Sequence, residues 1–193
     1  EARRSAFGVG CGLGGVGTGP KEHKLGIRCS PTGTVYRDKT PVPDENILRQ
    51  PGDGFKVAME ILNTGRHGMS AVLAGTQKRI IAEAAAHVTQ RKQFGSYLSE
   101  FDAVKGSFAS MAARTYATEA MAYALAGNMD KKLDGNPVDT VLEAAAAKVF
   151  ASDAAWTTID QAVQAVGGIG FMAPSVYERF LRDARIFRIF EGT

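Results

Sequence analysis

The sequence predicts a mainly α protein, an antiparallel helical bundle preceded by the remnant of a β-domain, and two observations carry that expectation. Composition shifts sharply near Pro43: Gly8, Gly10, Gly12, Gly14, Gly15, Gly17 and Gly19 and short β-type runs come before it, and an alanine-rich chain follows. From Asp53 onward, apolar residues recur every three or four positions, the spacing of one face of a helix. Residues 1–43 are therefore expected as the β-type part and residues 44–193 as the helical part.

Glycines as dense as those from Gly8 to Gly19 lose much backbone entropy on ordering, so that segment is expected as a loose loop. Lys24 to Cys29 and Thr34 to Asp38 read as two short strands joined by a turn at Ser30-Pro31-Thr32-Gly33. Two strands are not stable alone, so the rest of their sheet is expected outside this chain. In the helical part, Val57, Ile61, Leu62, Met69, Val72, Leu73, Ile80, Ile81, Ala84 and Val88 form the first stripe. Val104, Phe108, Met111, Thr115, Ala122, Leu125 and Met129 form the second. A third helix is expected to open at Asn136-Pro137, a capping residue before a proline at the first helical position, and to stop at Gly167-Gly168. Its stripe is Val141, Ala145, Val149, Ser152, Trp156, Ile159, Val163 and Val166. A shorter fourth helix starts at Pro174 and carries Glu178 and Arg182 one turn apart. Tight links between such helices imply antiparallel packing, and the alanines imply close approach.

The chain has 193 residues, 45% hydrophobic and 22% charged, which is ordinary for a globular protein with a sizeable core. Its net charge of +3 comes from interspersed Lys, Arg, Asp and Glu, with no basic block, so no nucleic-acid partner is expected. Cys11 and Cys29 lie far apart and are expected as free thiols in a reducing compartment. No apolar run is long enough to span a bilayer, and no charged-then-apolar leader opens the chain. Glu1 and Thr193 read as cuts, so the chain is expected to be an interior piece of something longer. His23, His67 and His87 share no ligand spacing with each other or with the cysteines, so no metal site is expected. No Ser/His/Asp or Cys/His arrangement is legible.

One carboxylate stands out. The run from Arg185 to Thr193 reads R-I-F-R-I-F-E-G-T and sets Glu191 against Ile186, Phe187, Ile189, Phe190 and a glycine. A carboxylate in an apolar setting is poorly solvated, and desolvation raises its affinity for a proton. Taken alone, the residue reads as a surface glutamate near a chain end; in that setting it is a candidate base.

An ordered set of motifs covers nearly the whole chain. It runs Ala6-Phe7-x-Val9, Gly14-Gly15-Val16, Lys24-Leu25-Gly26-Ile27-Arg28, Val42-Pro43-x-x-Asn46-Ile47-Leu48 and Gly54-Phe55-Lys56. It continues through Arg91-Lys92-Gln93-Phe94-Gly95, Gln164 to Gly168 with Gly170-Phe171, Arg182-Asp183-x-Arg185 and Phe190-Glu191-Gly192-Thr193. This set resembles the acyl-CoA dehydrogenases. The resemblance makes residues 1–43 the C-terminal part of that family's central β-domain and residues 44–193 its C-terminal helical-bundle domain, ending at the Glu motif. Gly54 to Met59 and Ile186 to Thr193 are most similar to the very-long-chain subgroup and its complex I assembly relative.

The resemblance implies a function and a site. The Glu of the E-G-T motif, here Glu191, would remove a proton from the α-carbon of a long or very-long-chain acyl-CoA thioester. A hydride would leave the β-carbon for the flavin of FAD, and electrons would pass to electron-transferring flavoprotein. The Glu191 backbone N–H would help polarise the thioester carbonyl. Asn63, Thr64, Gly65 and Arg66, with Glu191 and Gly192, would line the substrate site at its thioester end. Some family members carry the base just before the arginine that resembles Arg66; here that residue is Gly65, and glycine cannot be a base. Gly65 and Gly68 weaken a helix interior by roughly 1 kcal/mol each relative to alanine, which close approach by a ligand would explain.

For the cofactor, the resemblance implies that Arg91, Lys92 and Gln93 reach across a dimer interface to FAD, with the Phe94 ring available for stacking. Arg91 reads equally as a helix-end arginine complementing the helix dipole. Gln164, Ala165, Val166, Gly167 and Gly168 are implied to hold the adenosine side of FAD, although a helix C-cap alone would explain both glycines. They follow a helix and no strand, so they are not a Rossmann fingerprint. Phe101 and Asp102 fall at a further FAD contact with departing residue types, and Thr193 at a hydroxyl contact to the flavin half.

The resemblance also implies a homo-oligomer, dimer or tetramer, with FAD near the subunit interface, and peripheral membrane contact through regions outside this chain. It implies a mitochondrial setting, matrix or inner-membrane surface, in a eukaryote and a cytoplasmic one in a bacterium. The family's N-terminal helical domain and most of its β-domain fall outside the chain, so the chain alone is expected neither to hold FAD nor to turn over. Glycine and Cys11 between Gly10 and Gly12 replace residues that are commonly charged in relatives. An alternative of another class is a dehydrogenase-derived assembly factor for respiratory complex I.

Overall fold

The computed structural model describes residues 4–136 and 138–192, and the chain separates into two compact units, Glu1–Leu62 and Asn63–Thr193. The strands of the first unit are β1 (Ala6–Phe7), β2 (Val16–Thr18), β3 (Val35–Arg37) and β4 (Ile47–Leu48). They form two antiparallel pairs, β1 with β4 and β2 with β3. Two expectations are corrected here. The glycine-rich segment is not a loose loop throughout, because it supplies β2, with Gly17 opposite Tyr36. Gly15 holds φ +81°, and a Cβ there would stand 2.1 Å from the Asp38 carbonyl oxygen, so the turn into β2 requires glycine. Lys24 to Cys29 is not a strand. Lys24 Nζ donates to the Ser30 carbonyl (2.6 Å) and to Thr32 Oγ1 (3.0 Å), and Arg28 Nε donates to the Lys24 carbonyl (3.0 Å). Side chains that bond their own loop offer the backbone an alternative to a ladder.

The helical expectation is met. The helices are α1 (Gly54–Val88), α2 (Asp102–Leu133), α3 (Val141–Val166), α4 (Gly168–Phe171) and α5 (Val176–Ala184). Between α1 and α2 lies a small hairpin, β5 (Lys92–Gln93) with β6 (Ser96–Tyr97). Its two turn residues, Phe94 and Gly95, have φ of +54° and +85°, the signature of the hairpin turn that matches strand twist.

In the second unit, pairings set the directions. Thr115 and Thr118 of α2 meet Gln77 of α1, and Met111 shares a core cluster with Ile80 and Ala84, so α2 runs back along α1. Leu125 clusters with Ala144 and Ala147, and Arg114 bonds Gln161, so α3 runs back along α2. Gln77 is fully buried where the three helices meet. Its Nε2 donates to Thr118 Oγ1 (3.1 Å) and the Leu73 carbonyl (3.3 Å), and its Oε1 accepts from Thr115 (3.4 Å) and Thr158 (3.3 Å). A satisfied polar centre of this kind fixes helix register.

The stripe of α2 lies inward from Met111 to Leu125 as expected, and that of α3 does not along its first turns. Val141 and Val149 are exposed, and Ala144, Ala147, Lys148, Ala151 and Ala155 are inside. Alanine leaves room for backbones to approach, so the larger valines sit at the rim. Ile61 and Val72 of α1 are likewise exposed. The start of α3 is Val141, with Thr140 before it, and not Asn136; Pro137 lies outside the described residues. The last helix starts at Val176 and not Pro174, because Ser175 Oγ caps it by accepting the Tyr177 N–H at 3.1 Å. The Glu178–Arg182 pair forms, at 2.6 Å. Among the described residues no helix is long and apolar enough to cross a membrane.

Candidate active site around Glu191

Beyond α5 the chain makes a tight turn over Arg185–Arg188 and reaches Glu191. Phe187 and Phe190 pack edge to face, with centroids 5.6 Å apart, against Met69 and Leu73 of α1 and Ala151 and Ala155 of α3. Ile189 points outward and is exposed. The apolar run thus anchors the tail to two helices. Full burial of such a ring contributes about 1.5–3 kcal/mol, and these half-buried rings contribute part of it.

Glu191 then adopts φ +60° and Gly192 φ +72°. The left-handed region disfavours a side-chain-bearing residue by about 1–2 kcal/mol, so the surroundings must hold it there. Two cations do so. Arg66 Nε and Nη2 both donate to the Glu191 carbonyl, at 3.2 and 3.1 Å, and Arg66 Nη1 donates to Asn63 Oδ1 at 3.3 Å. Lys148 Nζ donates to the Phe190 carbonyl at 2.6 Å. Gly192 lies close to Arg66, since a Cβ there would be 3.1 Å from Nη2.

The carboxylate lies over Gly65. A Cβ on that glycine would stand 3.3 Å from each Glu191 oxygen, so the close approach that explains Gly65 is made by Glu191 itself. Gly68 has nothing within 4 Å of its own Cβ position. Glu191 Oε2 is buried and, among the described residues, has no hydrogen-bond partner. Thr64 is exposed on the same turn of α1.

Lys148 went unnoticed in the sequence. Its side chain is 1% exposed. Burial pushes its pKa below the usual lysine range, opposed by the Glu191 charge and reinforced by Arg66. The signal that could have found it is the alanine period: Ala144, Ala147, Ala151 and Ala155 place position 148 in the middle of a buried face.

The other predicted residues form two further groups. Arg91 lies just beyond α1, its N–H donating back to the His87 carbonyl at 2.9 Å, and leads into the hairpin. Lys92 Nζ sits 4.3 Å from the centroid of the Tyr97 ring, and Gln93 Nε2 donates to the Lys92 carbonyl. Phe94 is 95% exposed at the hairpin tip and meets Phe101 edge-on at 6.3 Å. Asp102 opens α2 and accepts from Lys105 Nζ at 3.1 Å. At the far end of α3, Gln164 is exposed, Ala165 half-buried and Val166 buried in the core, so its side chain is already occupied. The Gly167 N–H caps α3 through the Val163 and Gln164 carbonyls, and open space surrounds Gly167 and Gly168. Thr193 lies outside the described residues. Among the described residues no three His, Cys, Asp or Glu side chains gather as a metal site would require.

Residues 52–193 match the family model of the acyl-CoA dehydrogenase C-terminal domain. The chain is 51% identical over 189 residues to the mitochondrial very long-chain specific acyl-CoA dehydrogenase of Rattus norvegicus, covering 98% of this chain and 28% of that relative. Among solved structures it is similar to an acyl-CoA dehydrogenase complexed with FAD from Bacillus anthracis, with a TM-score of 0.92 and 37% identity over 98% of this chain and 35% of that one. It is similar also to a chain in the electron transferring flavoprotein structure of Acidaminococcus fermentans, with a TM-score of 0.90 and 38% identity over 98% of this chain and 48% of that one. The chain therefore spans under a third of the rat relative's length and under half of either structural relative. By its matched domain and its sequence, the chain belongs to the acyl-CoA dehydrogenase family.

Proposed function

We propose that, in the full-length protein, this chain supplies the base and part of the substrate and FAD sites for α,β-dehydrogenation of long or very-long-chain acyl-CoA thioesters in fatty-acid β-oxidation. The observation that carries the reading is the Glu191 carboxylate: one oxygen buried without a partner among the described residues, set over a bare glycine, on a backbone clasped by two cations. A buried carboxylate oxygen with no donor to satisfy it keeps a lone pair for a proton.

An α-proton of a thioester is very weakly acidic, so its removal needs both a base and donors on the carbonyl where charge develops. Glu191 takes the α-proton. The electron pair of that C–H bond becomes the new double bond as hydride leaves the β-carbon. The Glu191 N–H meets no acceptor among the described residues and is free to donate to the thioester carbonyl. Arg66 and Asn63 keep that segment in place at the thioester end.

FAD, when bound, supplies the acceptor for the β-hydride. The residues present fit such a group: an almost fully exposed Phe94 ring beside Phe101 offers stacking, Arg91 offers a donor fork, and Gly167 and Gly168 leave backbone open to close approach. Arg91 to Gln93, Phe101, Asp102 and Gln164 to Gly168 are assigned to it, with Thr193 at its flavin half. Supporting a long acyl chain is the identity to a relative named as very long-chain specific, and supporting electron-transferring flavoprotein as partner is the fold shared with a chain of such a structure. A homo-oligomer with FAD near the subunit interface belongs to the same reading, as does a mitochondrial setting in a eukaryote or a cytoplasmic one in a bacterium. The direct test is an absorbance spectrum of the full-length protein. Oxidised flavin that bleaches with palmitoyl-CoA is the expected result; a protein without flavin, or a flavin indifferent to acyl-CoA, would overturn the reading.

A further inference from the structure

Lys148 is the one charged side chain fully buried among the described residues. Burying an ammonium among alanines is costly, and an apolar residue would fill that face more simply. Its partner is unusual as well. Nζ donates at 2.6 Å to a backbone carbonyl, that of Phe190, and stands 5.8 Å from the centroid of the same residue's ring.

The bonded carbonyl is half of a peptide unit whose other half is the Glu191 N–H. In a trans peptide these two groups point in opposite directions. By holding the oxygen from the α3 side, Lys148 fixes the direction in which the N–H emerges, and no acceptor among the described residues takes that N–H. Arg66, from α1, grips the next carbonyl at 3.1 and 3.2 Å, so the peptide units on both sides of Glu191 are each tied to a cation. A cation on an amide oxygen also draws electron density through the amide and makes its N–H a stronger donor, as in any hydrogen-bond chain.

We propose that Lys148 is a positioning residue that orients and polarises the Phe190–Glu191 peptide, so that the Glu191 N–H becomes a sharpened donor to the thioester carbonyl. The inference rests on reading the site as one for an acyl-CoA thioester. Lys148 touches no reacting atom and acts wholly through the peptide it holds.

The test uses the full-length, FAD-loaded protein with Lys148→Met and Lys148→Gln. The first readout is the infrared stretch of an isotope-labelled thioester carbonyl in the bound enoyl product of palmitoyl-CoA. Wild type should shift this band to lower frequency than in water. Lys148→Met should lose most of that shift, and Lys148→Gln, which keeps a donor and drops the charge, should retain an intermediate part. In turnover, kcat should fall about tenfold to a hundredfold in Lys148→Met, less than for a direct oxyanion donor, with KM changed by less than about threefold. Flavin content should stay near that of wild type. A wild-type band shift in both variants would overturn the proposal and leave Lys148 a filler. If Lys148→Met loses its flavin or fails to fold, Lys148→Gln decides alone, and an undiminished shift there would overturn it. Wild type that neither shifts the band nor bleaches would instead sink the dehydrogenase reading, whatever the variants do.

Discussion

Gly65 on α1 and Glu191 on the tail are fitted to each other: a Cβ at position 65 would stand 3.3 Å from both carboxylate oxygens. The glycine is what lets the carboxylate lie flat against the helix. Position 65 and position 191 therefore cannot both carry a large side chain in this arrangement.

Gly65→Ala tests that fit. Alanine in a helix interior stabilises by about 0.5–1 kcal/mol over glycine. The added methyl also displaces the carboxylate by a few tenths of an ångström, and misplacement costing about 1.4 kcal/mol in the transition state is a tenfold loss of rate. The variant should melt at or above the wild-type temperature while its flavin reduction slows about tenfold. An unchanged reduction rate would mean that the carboxylate does not act from this position.

Gln77→Leu probes the polar centre of the bundle. Thr115 and Thr118 keep bonds to the Met111 and Arg114 carbonyls, so they tolerate the loss. Thr158 Oγ1 donates to Gln77 Oε1, and its hydroxyl would be left short of an acceptor at a cost of about 1–3 kcal/mol. Urea unfolding should show that loss, and adding Thr158→Val should recover part of it. Strict additivity of the two changes would refute the coupling.

Alkaline pH should reveal the burial of Lys148. Its folded-state pKa lies below the unfolded value because burial disfavours the ammonium. Between those two values the unfolded chain binds more protons, so stability rises with pH across that window. Wild type should therefore gain on Lys148→Met as pH climbs through the folded-state value toward the ordinary lysine range. Parallel urea-midpoint curves for the two proteins would contradict this.

The subunit assignment of Arg91 is open to a mixing experiment. If each site takes its base in cis and its arginine from the neighbouring protomer, Arg91→Ala and Glu191→Gln subunits complement each other. A heterodimer then holds one intact site, and a mixed preparation should regain activity that both homodimers lack. No recovery, with heterodimers confirmed by mass, would remove Arg91 from the neighbour's site.

Much of this was legible in the chain because helical periodicity and ordered motifs are local signals. The stripe from Met111 to Leu125 and the cap at Gly167 both sit where local chemistry points. What escaped depends on partners distant in sequence. Val149 outranks Ala147 by hydrophobicity alone, yet a close-packed helix prefers the smaller residue inside. Lys148 escapes notice because its carbonyl acceptor lies 42 residues on. The same holds for Gly65, whose occupant lies at the other end of the chain, and for Lys24, whose bonds to its own loop outweigh a strand-like composition.

The central claim is that Glu191 takes the α-proton, and single-turnover flavin reduction by palmitoyl-CoA in full-length Glu191→Gln tests it most directly. The amide is nearly isosteric and cannot accept that proton, so FAD content and acyl-CoA binding should persist while the reduction rate collapses by several orders of magnitude. Flavin bleaching at a near-native rate in this variant would show that Glu191 is a bystander.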